Sequence, residues 1–350
     1  MKVLVTGGAG FIGSTLIRAL VREGHSVINV DALTYAADLR GTEIVAQSEN
    51  YILEKIDIRS LVDVTRVITN HKPDSVVHLA AESHVDRSID SPLAFIETNV
   101  LGTANLLEAS RNYWNSIGKP SSFRFHHVST DEVFGSLALN SFDRFVESTP
   151  YAPRSPYAAS KASSDHLVRA WNHTYGLPIV VSNCSNNYGP YQFPEKLIPL
   201  VVLRCVTGSS VPVYGDGSNV RDWLFVEDHA NALITVMRRG RVGCSYNIGG
   251  GSELSNLNIV RKICDILDRL RPLRSGDSYH KLITFVEDRP GHDKRYSVEF
   301  SLLQNELGWS PSINIDDGLE LTVSWYLDNL SYYISEDGTE IFHQRLGTSV

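Results

Sequence analysis

The chain has 350 residues, of which 42% are hydrophobic and 21% are charged, and its formal net charge at pH 7 is −8. This length fits one large α/β domain or two smaller units that share an interface. The negative charge argues against general nucleic-acid binding, which needs a basic face, although a few basic side chains and backbone amides are enough to bind one phosphate-bearing ligand.

The first half of the chain alternates short apolar runs with helical patterns, which is typical of parallel β-α-β units. The apolar runs are nearly continuous and rich in Val and Ile, as expected for strands that are covered on both faces. They predict strands at residues 2–6, 26–30, 51–55, 75–80, 123–129 and 178–183.

Amphipathic helices are predicted between these strands. The first ends at Gly24, and Ser60 is placed to cap the third. Two later helices are longer, about 92–116 and about 157–175. The first of these two carries more apolar surface than packing on a sheet requires, so either a partner subunit or a large second domain is expected to cover the excess. The apolar residues concerned are Phe95, Val100, Leu101, Leu106 and Leu107.

The alternation breaks down after about residue 183, where Gly and Pro become frequent and the apolar runs become short and scattered. We therefore predict a doubly wound parallel α/β domain in residues 1–183 and a smaller, irregular α/β region that binds substrate in residues 184–350. The boundary is approximate, and the chain is expected to cross between the two units. A helix near 317–327 closes the second region, and residues after about 331 are predicted to form a peripheral tail.

The cysteines and the N-terminal residues indicate the compartment. Cys184, Cys205, Cys244 and Cys264 show neither C-x-x-C spacing nor a His cluster, so we expect reduced, mostly buried thiols and no metal site. The chain enters a strand and a glycine turn directly, without the apolar stretch of a signal peptide. No apolar stretch approaches the roughly 18 residues that a membrane span needs. These features predict a cytoplasmic protein that does not enter a membrane.

A glycine-rich turn follows the first predicted strand and opens the first helix, with Gly7, Gly10 and Gly13 at G-x-x-G-x-x-G spacing. Glycine lets the chain turn sharply and brings backbone N–H groups against a pyrophosphate at the helix N-terminus. Asp31 ends the next strand, where a carboxylate accepts hydrogen bonds from the adenosine ribose and repels a 2′-phosphate. The pattern predicts a Rossmann-type domain that binds NAD rather than NADP.

Further cofactor contacts are expected along the carboxyl edge of the sheet, where open α/β sheets bind ligands. The segment Leu79-Ala80-Ala81, with Ser83 beyond it, would let the cofactor lie close. Asp57 and Ile58 either bracket the adenine or form a turn that initiates the next helix. The remaining predicted cofactor contacts are Phe11, Ile12, Leu33, Thr34, Thr98, Tyr157, Lys161 and Asn187.

Tyr157 and Lys161 are four residues apart and therefore share one face of the second long helix. A free tyrosine has a pKa near 10, and it needs a downward shift of roughly two to three units to act as a base near neutrality. A nearby ammonium shifts such a pKa by about one to three units, so Lys161 is expected to lower the pKa of Tyr157.

Two adjacent carboxyls, Asp131 and Glu132, follow Thr130 at the end of the fifth predicted strand. In an arbitrary chain, such a pair after a strand would simply cap a turn. Next to a Tyr/Lys pair that can oxidise an alcohol, an acid and a base beside that alcohol's carbon skeleton would allow elimination of water. Two carboxyls in one pocket do not both ionise easily, which suits one acid and one base.

With Thr130, the Tyr157/Lys161 pair resembles the Ser/Thr-Tyr-Lys triad of the extended short-chain dehydrogenase/reductase family, and the resemblance covers nearly the whole chain. Asn99 also matches a helix motif of that family, where it helps to fix the neighbouring strand. Within the family, the segment 130–135 is similar to the T-D-E-V-Y-G segment of nucleotide-sugar 4,6-dehydratases, with Phe134 in place of Tyr. Sugar 4-epimerases lack this acidic pair, and nucleotide-sugar decarboxylases keep only the glutamate.

The resemblance implies a reaction and a role for each residue. Tyr157 takes the C4 hydroxyl proton while NAD takes the C4 hydride. Glu132 then removes the acidified C5 proton, and Asp131 donates a proton to the departing C6 hydroxyl. Hydride returns to C6, which gives a 4-keto-6-deoxy sugar and regenerates NAD.

The same resemblance implies a set of substrate contacts. Ser83 and the catalytic residues Thr130, Asp131 and Glu132 are expected near the hexose. Contacts with the diphosphate, ribose and base are expected from Asn186, Lys196, Leu197, Pro212, Tyr214, Arg221, Asn256, Asp288, Arg289 and His292. Only the resemblance selects thymine over uracil, which makes dTDP-glucose the expected substrate. His84, His126 and His127 lack partners at metal-ligand spacing and are expected to serve packing or hydrogen bonding.

Three other functions remain open from the residues alone. A UDP- or CDP-sugar 4,6-dehydratase would share the whole pattern, and a 4-epimerase would share all of it except Asp131 and Glu132. A catalytically silent NAD-binding regulator on the same fold would not need Tyr157 and Lys161. The resemblance also implies a homodimer joined by the two long helices of each subunit, and a role in supplying 6-deoxysugars such as rhamnose precursors.

Overall fold

The computed structural model describes residues 1–335, which form twelve strands and twelve α-helices. The strands are β1 Lys2–Thr6, β2 Ser26–Asp31, β3 Tyr51–Lys55, β4 Ser75–His78, β5 Arg124–Thr130, β6 Ile179–Cys184, β7 Asn186–Tyr188, β8 Val211–Tyr214, β9 Val220–Phe225, β10 Ser245–Ile248, β11 Glu253–Ser255 and β12 Ile283–Val286. The helices are α1 Phe11–Arg22, α2 Arg40–Glu43, α3 Leu61–His71, α4 Val85–Asp90, α5 Pro92–Phe95, α6 Gly102–Ser116, α7 Pro156–Tyr175, α8 Leu197–Thr207, α9 Val226–Arg239, α10 Asn256–Leu270, α11 Ser301–Leu307 and α12 Ile315–Asp328.

The main sheet has seven parallel strands in the order β10-β6-β5-β4-β1-β2-β3. The order reverses between β1 and β4, and this is the point at which doubly wound sheets bind their ligands. The Rossmann-type fold predicted from the sequence is therefore confirmed. The six predicted strands all form, with ends that differ by at most two residues.

Both faces of this sheet are covered, because neighbouring residues of each strand point to opposite sides. On β1, Val3 and Val5 pack on one side with α1, α9 and α11, while Leu4 packs on the other side with α3, α6 and α7. Ser60 caps α3 by accepting a hydrogen bond from the Asp63 amide, 3.3 Å away, a contact typically worth about 1 kcal/mol.

The long helix predicted over 92–116 is divided into α5, a π-helical segment at Ile96–Leu101, and α6. The π segment leaves the Asn99 carbonyl free to accept hydrogen bonds from the hydroxyls of Thr103 and Ser164, at 2.5 and 2.6 Å. The Asn99 side chain bonds the Glu82 backbone in both directions at 2.9 Å. Asn99 thus joins the loop after β4 to α7, which carries Tyr157 and Lys161.

The second half of the chain builds a smaller unit but also returns to the main sheet. β11, β9 and β7 form a three-stranded sheet, and β12 pairs with β8, around a core shared by α8, α10 and α12. In contrast, β10 pairs with β6 in the main sheet and α9 packs with α1. The domain boundary near residue 183 stays a prediction. The chain crosses back to the first unit at α9 and β10.

The described residues contain no helix that is both long and apolar enough to cross a membrane. The closing helix predicted near 317–327 corresponds to α12. The predicted tail lies outside the described residues from 336 onward. Just before that point, Tyr333 is buried and its ring lies 5.0 Å from the Arg40 guanidinium.

Candidate active site

Two cavities meet at the carboxyl edge of the main sheet. One has a volume of about 420 Å³ and lies over the glycine turn, and the other has a volume of about 430 Å³ and lies between the sheet and the second unit. Five residues line both cavities, and they are Ser83, Glu132, Asn186, Glu195 and Lys196. Because they share this wall, a ligand in one cavity can contact a ligand in the other.

The glycine turn has room for backbone only. Gly7 has a φ of +73°, and a Cβ there would lie 2.7 Å from the Ala80 amide nitrogen. A Cβ on Gly13 would lie 2.1 Å from the Gly7 carbonyl oxygen. The turn can therefore approach a ligand closely and present the α1 N-terminus to a pyrophosphate.

Asp31 lies at the end of β2 with both carboxylate oxygens held by backbone. Ala9 N donates to Oδ2 at 2.9 Å and Leu33 N donates to Oδ1 at 2.8 Å. Burial raises the pKa of Asp31, and these two donors oppose that rise. The carboxylate is thus fixed in place and keeps spare lone pairs for ribose hydroxyls.

Nearly all predicted cofactor residues line the first cavity. These are Gly7, Gly10, Phe11, Ile12, Gly13, Asp31, Thr34, Asp57, Ile58, Leu79, Ala80, Ala81, Ser83, Thr98, Tyr157, Lys161 and Asn187. Leu33 is outside the lining, because its backbone turns to a φ of +54° and its amide serves Asp31. Asp57 lines the cavity, as a contact with the adenine would require. It also accepts a hydrogen bond from the Arg59 amide at 2.8 Å, as expected for the turn that initiates α3.

Tyr157 and Lys161 are both buried on α7, and both line the first cavity. The electrostatics of Tyr157 differ from the expectation. Burial and the negative charge of Glu132 raise the pKa of Tyr157 well above 10, and a hydrogen bond with Thr130 only partly opposes this. Lys161 Nζ donates its hydrogen bond to the Val128 carbonyl, at 2.9 Å.

The acidic pair lies in a 3-10 turn, Asp131–Phe134, immediately after β5. Thr130 starts this turn: its hydroxyl donates to Asp131 Oδ1 at 3.3 Å and accepts from the Glu132 amide at 3.2 Å. The turn-capping role considered for this segment is therefore real, but Thr130 performs it. Both carboxyls are left free to face the cavities, and Asp131 Oδ2 is buried without a hydrogen-bond partner among the described residues.

The two carboxyls sit in different electrostatic environments. Burial and the nearby charge of Glu132 raise the pKa of Asp131 well above its usual range. Burial also raises the pKa of Glu132, but the positive charges of Arg289 and Arg221 oppose that rise. Asp131 is therefore the better proton donor of the pair and Glu132 the better base.

The second cavity is lined by basic side chains that already have partners. Arg289 lies 3.3 Å from Asp86, and its Nε is buried without a hydrogen-bond partner in the described part of the chain. Arg221 is buried and donates to the Asp293 carbonyl at 3.0 Å. Lys196 precedes α8, and its Nζ is 3.5 Å from the Ser83 carbonyl. The arrangement suits a diphosphate, because its charged oxygens would bind these three side chains more strongly than their present protein partners do.

Most predicted substrate residues line this second cavity, namely Ser83, Glu132, Asn186, Lys196, Leu197, Pro212, Tyr214, Arg221, Asn256, Arg289 and His292. Thr130 and Asp131 line the cofactor cavity instead, next to the shared wall. Asp288 lies outside both linings because its carboxylate is taken up by His292 Nδ1, at 2.6 Å, and by the Arg289 amide.

Sequence reasoning missed several lining residues. Gln192 lines the cofactor cavity, and its Oε1 is buried without a hydrogen-bond partner in residues 1–335. Cys184 lines the same cavity at the end of β6. Leu200 and Val260 give the second cavity an apolar wall. Cys184 could have been found from its position at a strand end, whereas nothing in the local pattern marks the other three.

The histidines and cysteines form no cluster of metal ligands within the described residues. His126 bonds Ser182 at 2.9 Å, His127 lies 3.1 Å from Asp165, and His84 caps α4. All four cysteines are free, and Cys244 is the one that is only partly buried.

The residues of the first cavity fit NAD. The glycine turn packs so closely on the protein backbone that Gly7 and Gly13 admit no Cβ, and the Asp31 carboxylate at the end of β2 lines the same cavity. With Tyr157 and Lys161 at the inner end and a cationic second cavity adjoining, fold and site are those of an extended short-chain dehydrogenase/reductase that acts on a nucleotide-linked compound.

Comparison with known proteins narrows this class. The family model described as GDP-mannose 4,6 dehydratase matches residues 4–322. The dTDP-glucose 4,6-dehydratase of Shigella flexneri is 55% identical over 342 residues, which cover 95% of this chain and 94% of that protein. The enzyme of the same name from Neisseria meningitidis is 53% identical over 352 residues, 99% of each chain.

Among solved structures, dTDP-glucose 4,6-dehydratase from Bacillus anthracis in complex with NAD has a TM-score of 0.83 and 42% identity, covering 95% of this chain and 98% of that one. The chain belongs to the dTDP-glucose 4,6-dehydratase family.

Proposed function

We propose that the protein converts dTDP-glucose to dTDP-4-keto-6-deoxyglucose and water. The observation that carries this proposal is the pair Asp131 and Glu132, where Glu132 lines both cavities and Asp131 lines the cofactor cavity. Burial raises the pKa of both carboxyls, well above the usual range for Asp131, whereas the charges of Arg289 and Arg221 oppose the rise at Glu132, so Asp131 holds its proton more firmly. Family membership supports the substrate, since the relatives named above are all dTDP-glucose 4,6-dehydratases.

NAD would be held by the glycine turn, Asp31 and the small residues at the end of β4, and when bound it accepts a hydride from C4 of the sugar and later returns one to C6. Tyr157 removes the C4 hydroxyl proton, and Thr130 hydrogen-bonds to Tyr157. The raised pKa of Tyr157 means that it gives up its proton only when positive charge, from Lys161 and the oxidised cofactor, is beside it.

Glu132 then removes the proton from C5, which the C4 ketone has made acidic. Asp131, protonated because its pKa is raised by burial, donates to the departing C6 hydroxyl. Each positioned acid or base contributes typically 10²–10⁴-fold to the rate. Arg221, Arg289 and Lys196 bind the diphosphate and hold the hexose against the acidic pair.

The test is to incubate the purified protein with dTDP-, UDP- and CDP-glucose and measure product masses. We expect a product lighter by one water, formed fastest from dTDP-glucose. Faster loss of water from another nucleotide would reassign the substrate. Conversion without mass change would indicate a 4-epimerase, and absence of any conversion would revive a non-catalytic NAD-binding role.

A homodimer is part of the proposal. Leu93, Ile96 and Leu101 expose 75%, 45% and 51% of their surface along one long helix, beside α7, and a second copy of this face would bury them. Sedimentation should give twice the chain mass for the native protein and the chain mass for Leu93→Arg. A monomeric native protein at micromolar concentration would contradict this.

We further propose a cytoplasmic location and a product that feeds 6-deoxysugars such as rhamnose. The four free cysteines support the location, because reducing conditions preserve thiols. Cell fractionation checks the first point, and loss of 6-deoxyhexose from cell-surface sugars after gene deletion checks the second. Recovery outside the cytoplasm, or unchanged deoxyhexose content, would contradict them.

A further inference from the structure

Lys161 is an ammonium in an almost closed environment. Its side chain is 4% exposed, and its Nζ donates to the Val128 carbonyl at 2.9 Å. A carbonyl dipole alone does not compensate for removing a full charge from water, so a buried ammonium needs a counter-charge or it loses its proton. Burial accordingly lowers the pKa of Lys161 below 10.5, and the charge of Asp165 opposes this effect.

Asp165 lies one turn after Lys161 on α7 and is fully buried. Its Oδ1 is 3.1 Å from His127 Nε2. Its Oδ2 accepts hydrogen bonds from the Tyr151 hydroxyl at 2.7 Å and from Asn183 Nδ2 at 3.3 Å. His127 directly precedes Val128 on β5, so the charged ends of Asp165 and Lys161 reach neighbouring residues of one strand.

The other titratable groups around Lys161 on the sheet are uncharged at neutral pH. Burial lowers the pKa of His127, on β5, to about 4 and holds the pKa of His78, on β4, well below 6.5. Burial raises the pKa of the Cys184 thiol, on β6, to about 12. None of these three groups can balance the ammonium.

The groups on α7 and in the segment before it lead to the same conclusion. Burial raises the pKa of both Tyr157 and Tyr151 above 10, so neither is an anion. Arg169 is a further cation and donates to the Tyr151 hydroxyl at 2.9 Å. Asp165 keeps its charge, because the contact with His127, the charge of Lys161 and the Tyr151 hydroxyl hold its pKa below 3.8 in spite of burial.

We propose that Asp165 is a positioning residue for this reaction: its carboxylate is the buried counter-ion that keeps Lys161 charged and directed at the Val128 carbonyl, beside Tyr157. The proposal rests on the proposed function only in assigning Lys161 to act with Tyr157. The hydrogen bonds from Tyr151 and Asn183 and the contact with His127 hold the carboxylate in a fixed position, one helical turn from Lys161 on α7.

The first test compares Asp165→Asn with two matched variants in the NAD-loaded enzyme. Asn keeps the shape and an acceptor for Tyr151 but removes the charge. Without the carboxylate charge, Lys161 should lose its proton at lower pH, so the pKa of the high-pH limb of the rate profile should fall by about one unit or more. We therefore expect kcat near pH 8 to fall at least about tenfold. Asp165→Glu should restore part of this shift, and Tyr151→Phe, which removes one bond to Asp165 but no charge, should leave the limb in place.

In Asp165→Asn, kcat could instead fall by the same factor at all pH values while the high-pH limb of the rate profile stays in place. That result would overturn the proposal and show that Asp165 only stabilises the local structure. A second measurement needs neither that variant nor dehydratase activity. In wild-type protein labelled with 13Cε-lysine, the Lys161 signal, identified by its loss in Lys161→Met, should keep its protonated position up to about pH 8. A neutral Lys161 near pH 7 would contradict the proposal even if the enzyme were active.

Discussion

The cofactor cavity and the substrate cavity are built in opposite ways. The cofactor cavity is formed by backbone and small side chains at the ends of consecutive parallel strands, as at Gly7 and Ala80. The substrate cavity is formed by long charged side chains from distant parts of the chain, each already paired with the protein, as Arg289 is with Asp86. The first is therefore shaped by main-chain geometry and the second by side-chain electrostatics.

This difference has consequences for binding and for mutation. A backbone cradle tolerates no added atom but contributes little charge, so its affinity depends on fit. A set of pre-paired cations gives up existing partners when a diphosphate enters, so its affinity depends on the balance between internal acids and the ligand. The catalytic residues line the cofactor cavity, and Glu132 lines the substrate cavity as well. They should affect the rate much more than either affinity.

The largest effect is expected from Tyr157→Phe, because Tyr157 is the residue proposed to remove the C4 hydroxyl proton. The rate of C4 oxidation should fall by about 10²–10⁴-fold or more. Absorbance of reduced cofactor after rapid mixing with dTDP-glucose measures this step. Both affinities should be nearly unchanged, and a wild-type oxidation rate in the variant would refute the role of Tyr157.

Glu132→Gln should be the next most damaging change, because it removes the base but keeps a neutral side chain of the same size. Exchange of solvent deuterium into C5 should slow by about 10²-fold or more. Asp131→Asn is the matched comparison and should slow loss of water with less effect on C5 exchange. Equal exchange rates in wild type and Glu132→Gln would eliminate Glu132 as the base.

Arg289→Lys tests the substrate cavity alone. A lysine loses the planar fork that two phosphate oxygens can share, so KM for dTDP-glucose should rise about tenfold, equivalent to about 1.4 kcal/mol. Affinity for NAD should stay constant. Arg59→Lys, in the cofactor cavity, is the control and should not change the substrate KM. A parallel loss of NAD affinity in Arg289→Lys would show that the cavities are not independent.

The smallest effect is expected from Asp31→Asn, which keeps the fixed position after β2 but removes the charge. Affinity for NAD should fall about threefold to tenfold, and discrimination against NADP should weaken, since a 2′-phosphate is no longer repelled. Equilibrium binding of both cofactors by calorimetry gives the ratio. Unchanged discrimination between NAD and NADP would mean that a group other than Asp31 recognises the ribose.

The same contrast explains how much the sequence could predict. The glycine turn and the strands of residues 1–183 could be predicted from local patterns, because each of these backbone conformations requires particular residue types at particular spacings. A crossing of the chain between the two units is predicted from the sequence, but the segments that make it, β10 and α9, could not be identified, since their placement depends on contacts between distant segments. Leu33 and Asp288 are predicted ligand contacts. In the fold, the Leu33 amide donates to Asp31 and the Asp288 carboxylate contacts His292 Nδ1.

The pKa of Tyr157 is another property that spacing could not predict. The i, i+4 relation correctly places Lys161 on the same face of α7, but the Val128 carbonyl, which accepts the hydrogen bond from Lys161 Nζ, comes from a strand distant in sequence. The acidic pair was easier to interpret, because it follows a strand end directly and the carboxyl ends of the strands face the ligands.

The most direct test of elimination by Asp131 and Glu132 follows the hydrogen atoms of a single turnover. dTDP-glucose carrying deuterium at C4 is incubated with the enzyme in ordinary water, and the product is examined by NMR and mass spectrometry. The account predicts a product lighter by one water, with the deuterium moved from C4 to C6. A product of unchanged mass that keeps its deuterium at C4 would contradict it.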